Sequence, residues 1–462
     1  MITEDNKKQS GQVFTPLYLV TQILDTAGYN GDFVVNRHVI DNSCGDGAFL
    51  CEIVRRYISA YDGNDLKHHL ETFVHGIELD AGAYQNCCRN LDEVAAQSGL
   101  KNVKWDVLNA DTLTVDAFNG KMDFVIGNPP YVRVHNLENY DAVKKYKFAE
   151  GGMTDLYLVF FEIGFNMLKN GGKLCYITPS SWINSVAGGV LRKYIRQHRN
   201  LVRLIDLGHF QAFDATTYTM ISLFEKSVVH ETFIYQIYGE NISEELHIED
   251  SIIGNKMYLA DKNTLCVLKY IFTANYPKVA QVKNGFATLA DPVFIGFEFP
   301  FEDYVIPTIK ASTGRWSKAF YPYDINGKPL SKNIIFSNSK IASYLELHKK
   351  QLLKGKSEYE NTDWYLYGRT QALKDVWTQK YAINTIIKDV KSIKLNSVPP
   401  GCGVYSGLYI ITQVGMNALT KIICSNDFIN YIYVLKKYKS GGYYTFNSKE
   451  LEMYLNYKLS QL

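Results

Sequence analysis

A Val/Ile-rich stretch, Phe33 to Ile40, runs into Asp41-Asn42-Ser43-Cys44-Gly45-Asp46-Gly47, and a helical pattern follows from Ala48 to about Tyr61. Strand, glycine turn and helix form the unit from which parallel sheets are wound, because parallel neighbours need a crossover and a helix is the compact one. Gly45 and Gly47 permit close backbone approach of a ligand, and Asp41 at the strand's end offers its carboxylate to a cationic group. Position 50 is Leu, so the third glycine of G-x-G-x-x-G is missing and phosphate binding is not the first choice.

The alternation continues along the chain. A strand at Thr72–Ile77 ends at Glu78-Leu79-Asp80, with a helix at Ala81–Ser98. A third strand, Val103–Leu108, leads into Asn109-Ala110-Asp111. A carboxylate at the tip of a second strand suits the two hydroxyls of a nucleoside sugar, and Asp111 is placed to accept from an adenine amino group. The fourth strand is MDFVIGNPPY, Met122 to Tyr131. Two successive prolines fix φ, remove two donors and push Asn128 out of the helical region, so the turn is stiff and rich in acceptors. Such a turn suits an exocyclic amino group. Asn128 and a proline carbonyl can hold both N–H protons and aim the nitrogen lone pair, while Tyr131 stacks on the ring.

Upstream, GQVFTP (residues 11–16) precedes a helix at Leu17–Ala27, with Thr15 as its opening residue and Pro16 at the first helical position. Downstream, the aperiodic stretch Val132–Met153 is expected to close over a substrate. An apolar helix from Thr154 or Asp155 to Leu168 ends at Gly171-Gly172. Strand Lys173–Ile177, a helix at about Ala187–Gln197 and strand Leu201–Leu207 follow, and Tyr218–Lys226 is expected to pair antiparallel beside the last of these.

The net charge of +2 conceals a partition. Residues 251–462 carry about 27 Lys and Arg against about 15 Asp and Glu, and the rest of the chain is acidic. A basic half suggests a polyanionic partner. The eight cysteines form no C-x-x-C pair and no zinc-like spacing with His, and no metal is expected. No run approaches 18 apolar residues and MITEDNKKQS lacks a signal-peptide core, so the expectation is a cytoplasmic protein with no membrane association.

In order, GQVFTP, DNSCGDGAFL, GIELD, LNAD, IGNPPY, TDLYLVFFEIGFNMLKNGG and KLCYITPSSW resemble the γ class of amino-group DNA methyltransferases, the TaqI-like N6-adenine enzymes of type II restriction-modification. The resemblance covers residues 11–226. It implies a class I methyltransferase fold, α/β and Rossmann-like with a mixed seven-stranded sheet, over residues 1–240. An α+β target-recognition domain would follow at 241–462. It implies S-adenosyl-L-methionine bound by Thr15, Asp41, Ser43, Gly45, Gly47, Glu78, Leu79, Asp111 and Asn128. Asn128 and Pro129 would be amino-group acceptors in a turn completed by Pro130, with Tyr131 stacking on one face of a flipped adenine. Phe213 would stack on the other face, with Phe210 as the alternative. The carboxyl-terminal phrases TDWYLYGRTQAL and SGGYYTFNSKEL resemble the same family more weakly, and Arg369, Lys388, Lys391 and Lys394 are placed to meet phosphates. The expected partners are double-stranded DNA, bound by a monomer, and a separately encoded restriction endonuclease. An RNA base and a protein glutamine amide remain rival acceptors, because an amide nitrogen poses the same chemical problem.

Overall fold

The computed structural model describes residues 15–137, 140–150, 154–211, 213, 217–353 and 363–461. It divides into two compact units, ending at Lys269 and beginning at Tyr270.

The first unit is built on one sheet. Its strands are β1 (Val39–Asp41), β2 (Val74–Glu78), β3 (Asp106–Asn109), β4 (Met122–Gly127), β5 (Leu168–Pro179), β6 (Leu201–Asp206), β7 (Thr219–Glu225), β8 (Thr232–Ile237) and β9 (Ser243–His247). They lie in the order β3-β2-β1-β4-β5-β7-β6-β8-β9. The first five run parallel, and β7 pairs antiparallel with both β5 and β6, as the Tyr218–Lys226 pattern suggested. The sheet has nine strands where seven were expected: β8 adds parallel to β6 and β9 closes the edge antiparallel.

Helices α1 (Leu17–Ala27), α2 (Ala48–Ala60), α3 (Leu66–Phe73) and α4 (Ala81–Ala96) accompany the first strands, and α5 (Leu156–Met167) and α6 (Gly189–His198) the later ones. Two apolar cores result. In one, Leu19, Ile23 and Leu24 of α1 pack with Phe49 and Ile53 of α2. The other gathers Phe160, Phe161 and Phe165 of α5 with Leu191 and Ile195 of α6. Because β9 and the segment after it supply Leu246, Ile248, Ile252 and Met257 to this second core, the unit extends past the expected boundary at residue 240.

Local physics moves several other boundaries. The strand expected at 33–40 shrinks to Val39–Asp41, because Gly31–Phe33 forms a 3-10 turn and Asn36 takes φ 60°. Thr72 and Phe73 belong to α3, whose Leu70 is buried, and β2 starts directly after them. Gly171 and Gly172 lie inside β5 and do not end α5. Gly171 has φ 75°, and a Cβ on Gly172 would sit 2.8 Å from the Met122 carbonyl.

The second unit is α+β. One antiparallel sheet orders Ala280–Asn284, Leu408–Thr412, Lys380–Ile383 and Leu395–Val398. A mixed sheet orders Ile295–Gly296, Arg315–Phe320, Val305–Lys310 and Gly403–Tyr405. The helix Ser448–Leu459 covers the edge of the first: Asn456 accepts from the Val279 and Ala280 amides, and Glu452 from that of Val282. An edge strand is thereby denied to other chains.

Candidate active site

The strand tips converge at the carboxyl end of the parallel strands, where open α/β sheets bind ligands at the point of topological reversal, here between β1 and β4. Asp41 ends β1 and is 1% exposed. Its Oδ1 accepts the Ser43 amide at 3.0 Å. Burial pushes the Asp41 carboxyl up to about 8. The Ser43 N–H opposes that shift and the nearby Glu78 adds to it. A Cβ on Gly127 would lie 2.5 Å from Asp41 Oδ1, so the last residue of β4 has to be glycine for β1 to keep its acid.

Glu78, at the tip of β2, holds the glycine loop in place. One carboxylate oxygen accepts the Gly45 amide at 2.8 Å and the other the Asp80 amide at 2.9 Å. Gly45 and Gly47 take φ 57° and 92°, the left-handed region that favours glycine. A Cβ at Gly47 would press on Cys87 Sγ at 2.9 Å, whereas one at Gly45 meets nothing within 4 Å. Leu79 is 69% exposed between two acids, Glu78 and Asp80. Asp111 accepts from the Leu113 amide and caps a 3-10 turn.

At the end of β4, Ser43 Oγ donates to the Asn128 carbonyl at 3.3 Å, and Asn128 Nδ2 donates to Thr15 Oγ1 at 3.1 Å. Thr15 therefore does not cap α1. Pro16 stands at that helix's N-cap without a side-chain cap, and the threonine hydroxyl serves the Asn-Pro-Pro-Tyr turn instead. The rest of the GQVFTP motif, residues 11–14, lies outside the described residues. Pro129 is buried and Pro130 half-buried. Tyr131 donates from its hydroxyl to the Ile177 carbonyl at 3.2 Å, and burial drives its phenol well above the ordinary range, so it stays neutral.

Phe213 is buried, with its ring centroid 6.3 Å from that of Tyr131 at 77°. The two rings meet edge to face and do not form a parallel slot. Phe210 lies against Tyr18 and Tyr238. Direct hydrogen bonds thus join Asp41, Ser43, Asn128 and Thr15 in one chain and Gly45 with Glu78 in another, while Tyr131 and Phe213 meet through their rings.

Asn42 went unread in the sequence although it is fully buried beside them. Its Oδ1 accepts from Tyr176 and its carbonyl from Thr112, tying β1 to β5 and to the turn after Asp111. Its position between Asp41 and the glycines was the available signal. After Tyr131, the described part of the 132–153 stretch is packed: Val134, Val143, Tyr146 and Phe148 are buried, and Arg133 pairs with Asp155 across its base.

These donors fit S-adenosylmethionine. Two carboxylates stand on adjacent strand tips, the space beside Gly45 is open among the described residues, and Leu79 offers an exposed apolar face. No group of three or more metal-ligating side chains occurs among the described residues, and none of their helices is long and apolar enough to cross a membrane.

In the second unit, Lys388, Lys391 and Lys394 are exposed around one turn, Val390–Ser392, fixed by an Asp389–Ser392 capping box. Arg369 is exposed on a separate segment, next to Gly368, whose amide donates to Thr288. The aromatic run of the TDWYLYGRTQAL phrase is core: Trp364, Tyr365, Leu366 and Tyr367 are buried. Gly441 and Gly442, both at positive φ, form a turn between two short strands ahead of the last helix.

Sheet order and site geometry define a class I methyltransferase fold. Among known proteins, the Eco57I restriction-modification methylase family model matches residues 50–213. The type II methyltransferase M.BstVI of Geobacillus stearothermophilus is 28% identical over 297 residues, covering 59% of this chain and 52% of the relative. The type II restriction enzyme and methyltransferase RM.Eco57I of Escherichia coli is 24% identical over 479 residues, covering 79% and 48%. The chain is similar to type II restriction-modification methyltransferases and spans about half the length of these curated relatives. Of solved structures, the type IIL restriction-modification enzyme MmeI in complex with DNA superposes with a TM-score of 0.63 at 11% identity, covering 94% of this chain and 65% of that one. A DrdV–DNA complex gives 0.55 at 12% identity, covering 98% and 57%. At these identities the likeness is one of fold.

Proposed function

We propose that the chain is a site-specific DNA methyltransferase that moves a methyl group from S-adenosylmethionine to adenine N6 in duplex DNA, as the modifying part of a restriction-modification or related defence system. The observation that carries this reading is the tethering of Asn128, by Thr15 through its side chain and by Ser43 through its carbonyl, beside the Asp41 and Glu78 strand tips. Thr15, Asp41, Ser43, Gly45, Gly47, Glu78, Leu79 and Asp111 are the residues assigned to hold the cofactor. Glu78 accepts the Gly45 and Asp80 amides, which fixes its carboxylate at the strand tip, where the sugar hydroxyls of the cofactor are assigned to it. When bound, the cofactor supplies a sulfonium methyl as electrophile.

The chain's own task is to make a delocalised amine reactive. With Nδ2 turned to Thr15, the Asn128 side-chain oxygen and the Pro129 carbonyl are assigned to the two amino protons, orienting the nitrogen without a charged base. The adenine has to leave the duplex to reach this turn, at a cost of a few kcal/mol that contacts with Tyr131 and Phe213 help to offset. On this reading the two perpendicular rings reorient on substrate binding, and the packed stretch after Tyr131 forms a wall of the pocket. The protein acts as a cytoplasmic monomer on duplex DNA, and its cognate endonuclease is encoded separately.

Labelled methyl transfer in vitro tests the acceptor. Duplex DNA, structured RNA and a glutamine-bearing protein substrate are offered side by side. Label in DNA that digests to N6-methyl-2′-deoxyadenosine supports the proposal, and label confined to RNA or protein refutes it.

A further inference from the structure

The second unit contains an open polar cleft of about 410 Å³, to which the end of the TDWYLYGRTQAL phrase contributes Thr370 to Leu373. Three segments build it: the edge strand Ala280–Asn284, the turn around Asn326-Gly327, and residues Thr370–Asp375. Strand alternation places Gln281 and Lys283 on one face, opposite the buried Ala280 and Val282. Because the helix Ser448–Leu459 occupies this strand's outer amides, the strand is held in one register. The turn packs tightly onto the third segment: a Cβ on Gly327 would lie 2.5 Å from the Lys374 amide nitrogen.

The polar groups are pre-oriented. Lys283 Nζ donates at 2.8 Å to Asp375, whose same oxygen takes the Tyr409 hydroxyl at 2.7 Å. The ammonium is thereby aimed while two of its three donors stay available. Gln371 donates from its amide nitrogen to the Gly285 carbonyl at 2.6 Å, which commits its remaining oxygen as an acceptor. Gln281, Asn326 and Lys374 are exposed. Between these groups, Ala372 holds φ 65°. A non-glycine residue there costs energy, and such strain concentrates where a surface is shaped for binding.

A hydrogen-bonded ammonium, Lys283, and an exposed amide, Gln281, on the strand, with the anchored Gln371 amide on the neighbouring segment, match the donor–acceptor edges of base pairs: glutamine pairs with adenine, lysine with guanine. Free phosphate would need none of this patterning, and the exposed lysines at 388, 391 and 394 are the residues assigned to sequence-independent contact. Resting on the DNA reading above, we propose that this cleft reads base edges of the recognition sequence, with Gln281, Lys283 and Gln371 as its specificity-determining side chains.

The test separates recognition from chemistry. The full chain and its Gln281→Ala and Lys283→Met variants are each used to select duplexes from a randomised library, with sequencing of the bound pool. In parallel, genomic methylation is mapped for each. The expected result is a single motif for the wild type, with Gln281→Ala and Lys283→Met each losing about tenfold discrimination at one base position, while circular dichroism and melting stay unchanged in Gln281→Ala. Gln281→Ala is the decisive variant, since its side chain is exposed, whereas Lys283→Met also strips a partner from Asp375. Variants that select the wild-type motif with undiminished discrimination overturn the cleft assignment and leave the methylation reading standing. A wild type that selects no motif overturns the cleft assignment as well. If the wild type selects a motif that the variants degrade, yet no DNA is methylated, the cleft is upheld and the methylation reading fails.

Discussion

At the residue scale, Asp41 sets the tension in the site. It is a carboxylic acid in an apolar setting, pushed up to about 8 from an unfolded value of about 3.9. The folded chain therefore holds a proton that the unfolded chain releases. The stability this brings is fully present below about pH 4 and is lost as pH rises towards 8. In the cofactor-free protein, Asp41→Asn should flatten that loss and raise stability at pH 8 by on the order of 2 kcal/mol, read from urea midpoints at pH 5 and 8. The same change should weaken cofactor binding, because the ionisable partner for a cationic group is gone. A wild type that gains stability over the variant as pH rises would reverse the sign and refute this account of Asp41. Gly127→Ala attacks the same acid from the neighbouring strand, with a Cβ placed 2.5 Å from its Oδ1. We expect a loss of about 1–3 kcal/mol and much weaker cofactor binding by calorimetry, as overpacking displaces Asp41.

At the scale of elements, the strand tips were readable because each short apolar run ended in a residue with one evident chemical use: Asp41, Glu78, Asp111 and Asn128. What could not be read is how the tips are joined. Thr15 lies 113 positions from Asn128 in the chain, and helix-start rules assign it to a cap, since a proline follows it. Only the folded chain shows its hydroxyl turned to the amide. Similarly, Asn36 at φ 60° cuts short a strand that composition alone extends to Phe33. Strands β8 and β9 escaped the family pattern because they lie beyond its motifs. They supply the clearest test of element boundaries. A chain ending at 240 lacks β9 and loses Leu246, Ile248 and Ile252 from the core, so it should melt lower, or express less solubly, than a chain ending at Lys269. Equal stability of the two would contradict the nine-stranded unit.

For the whole molecule, the charge partition is the feature that the proposed function uses: the acidic half is assigned the chemistry and the basic half the nucleic-acid affinity. Neutralising Lys388, Lys391 and Lys394 together should weaken duplex binding evenly across sequences and flatten the slope of log K against log salt by roughly 0.9 for each phosphate no longer neutralised. An unchanged slope would remove that turn from the interface. The central claim is that the Asn128 turn performs methyl transfer to adenine in DNA. It is tested most directly by modification-sensitive long-read sequencing of DNA from a methylation-deficient host expressing either the wild-type chain or Asn128→Ala, with cofactor affinity measured on both proteins. The expected result is N6-methyladenine at one short recurring sequence with the wild type, a loss of at least about 10³-fold in the variant, and cofactor binding nearly intact in both. Methylation that persists in Asn128→Ala, or a blank genome from well-expressed, cofactor-binding wild-type protein, would contradict it.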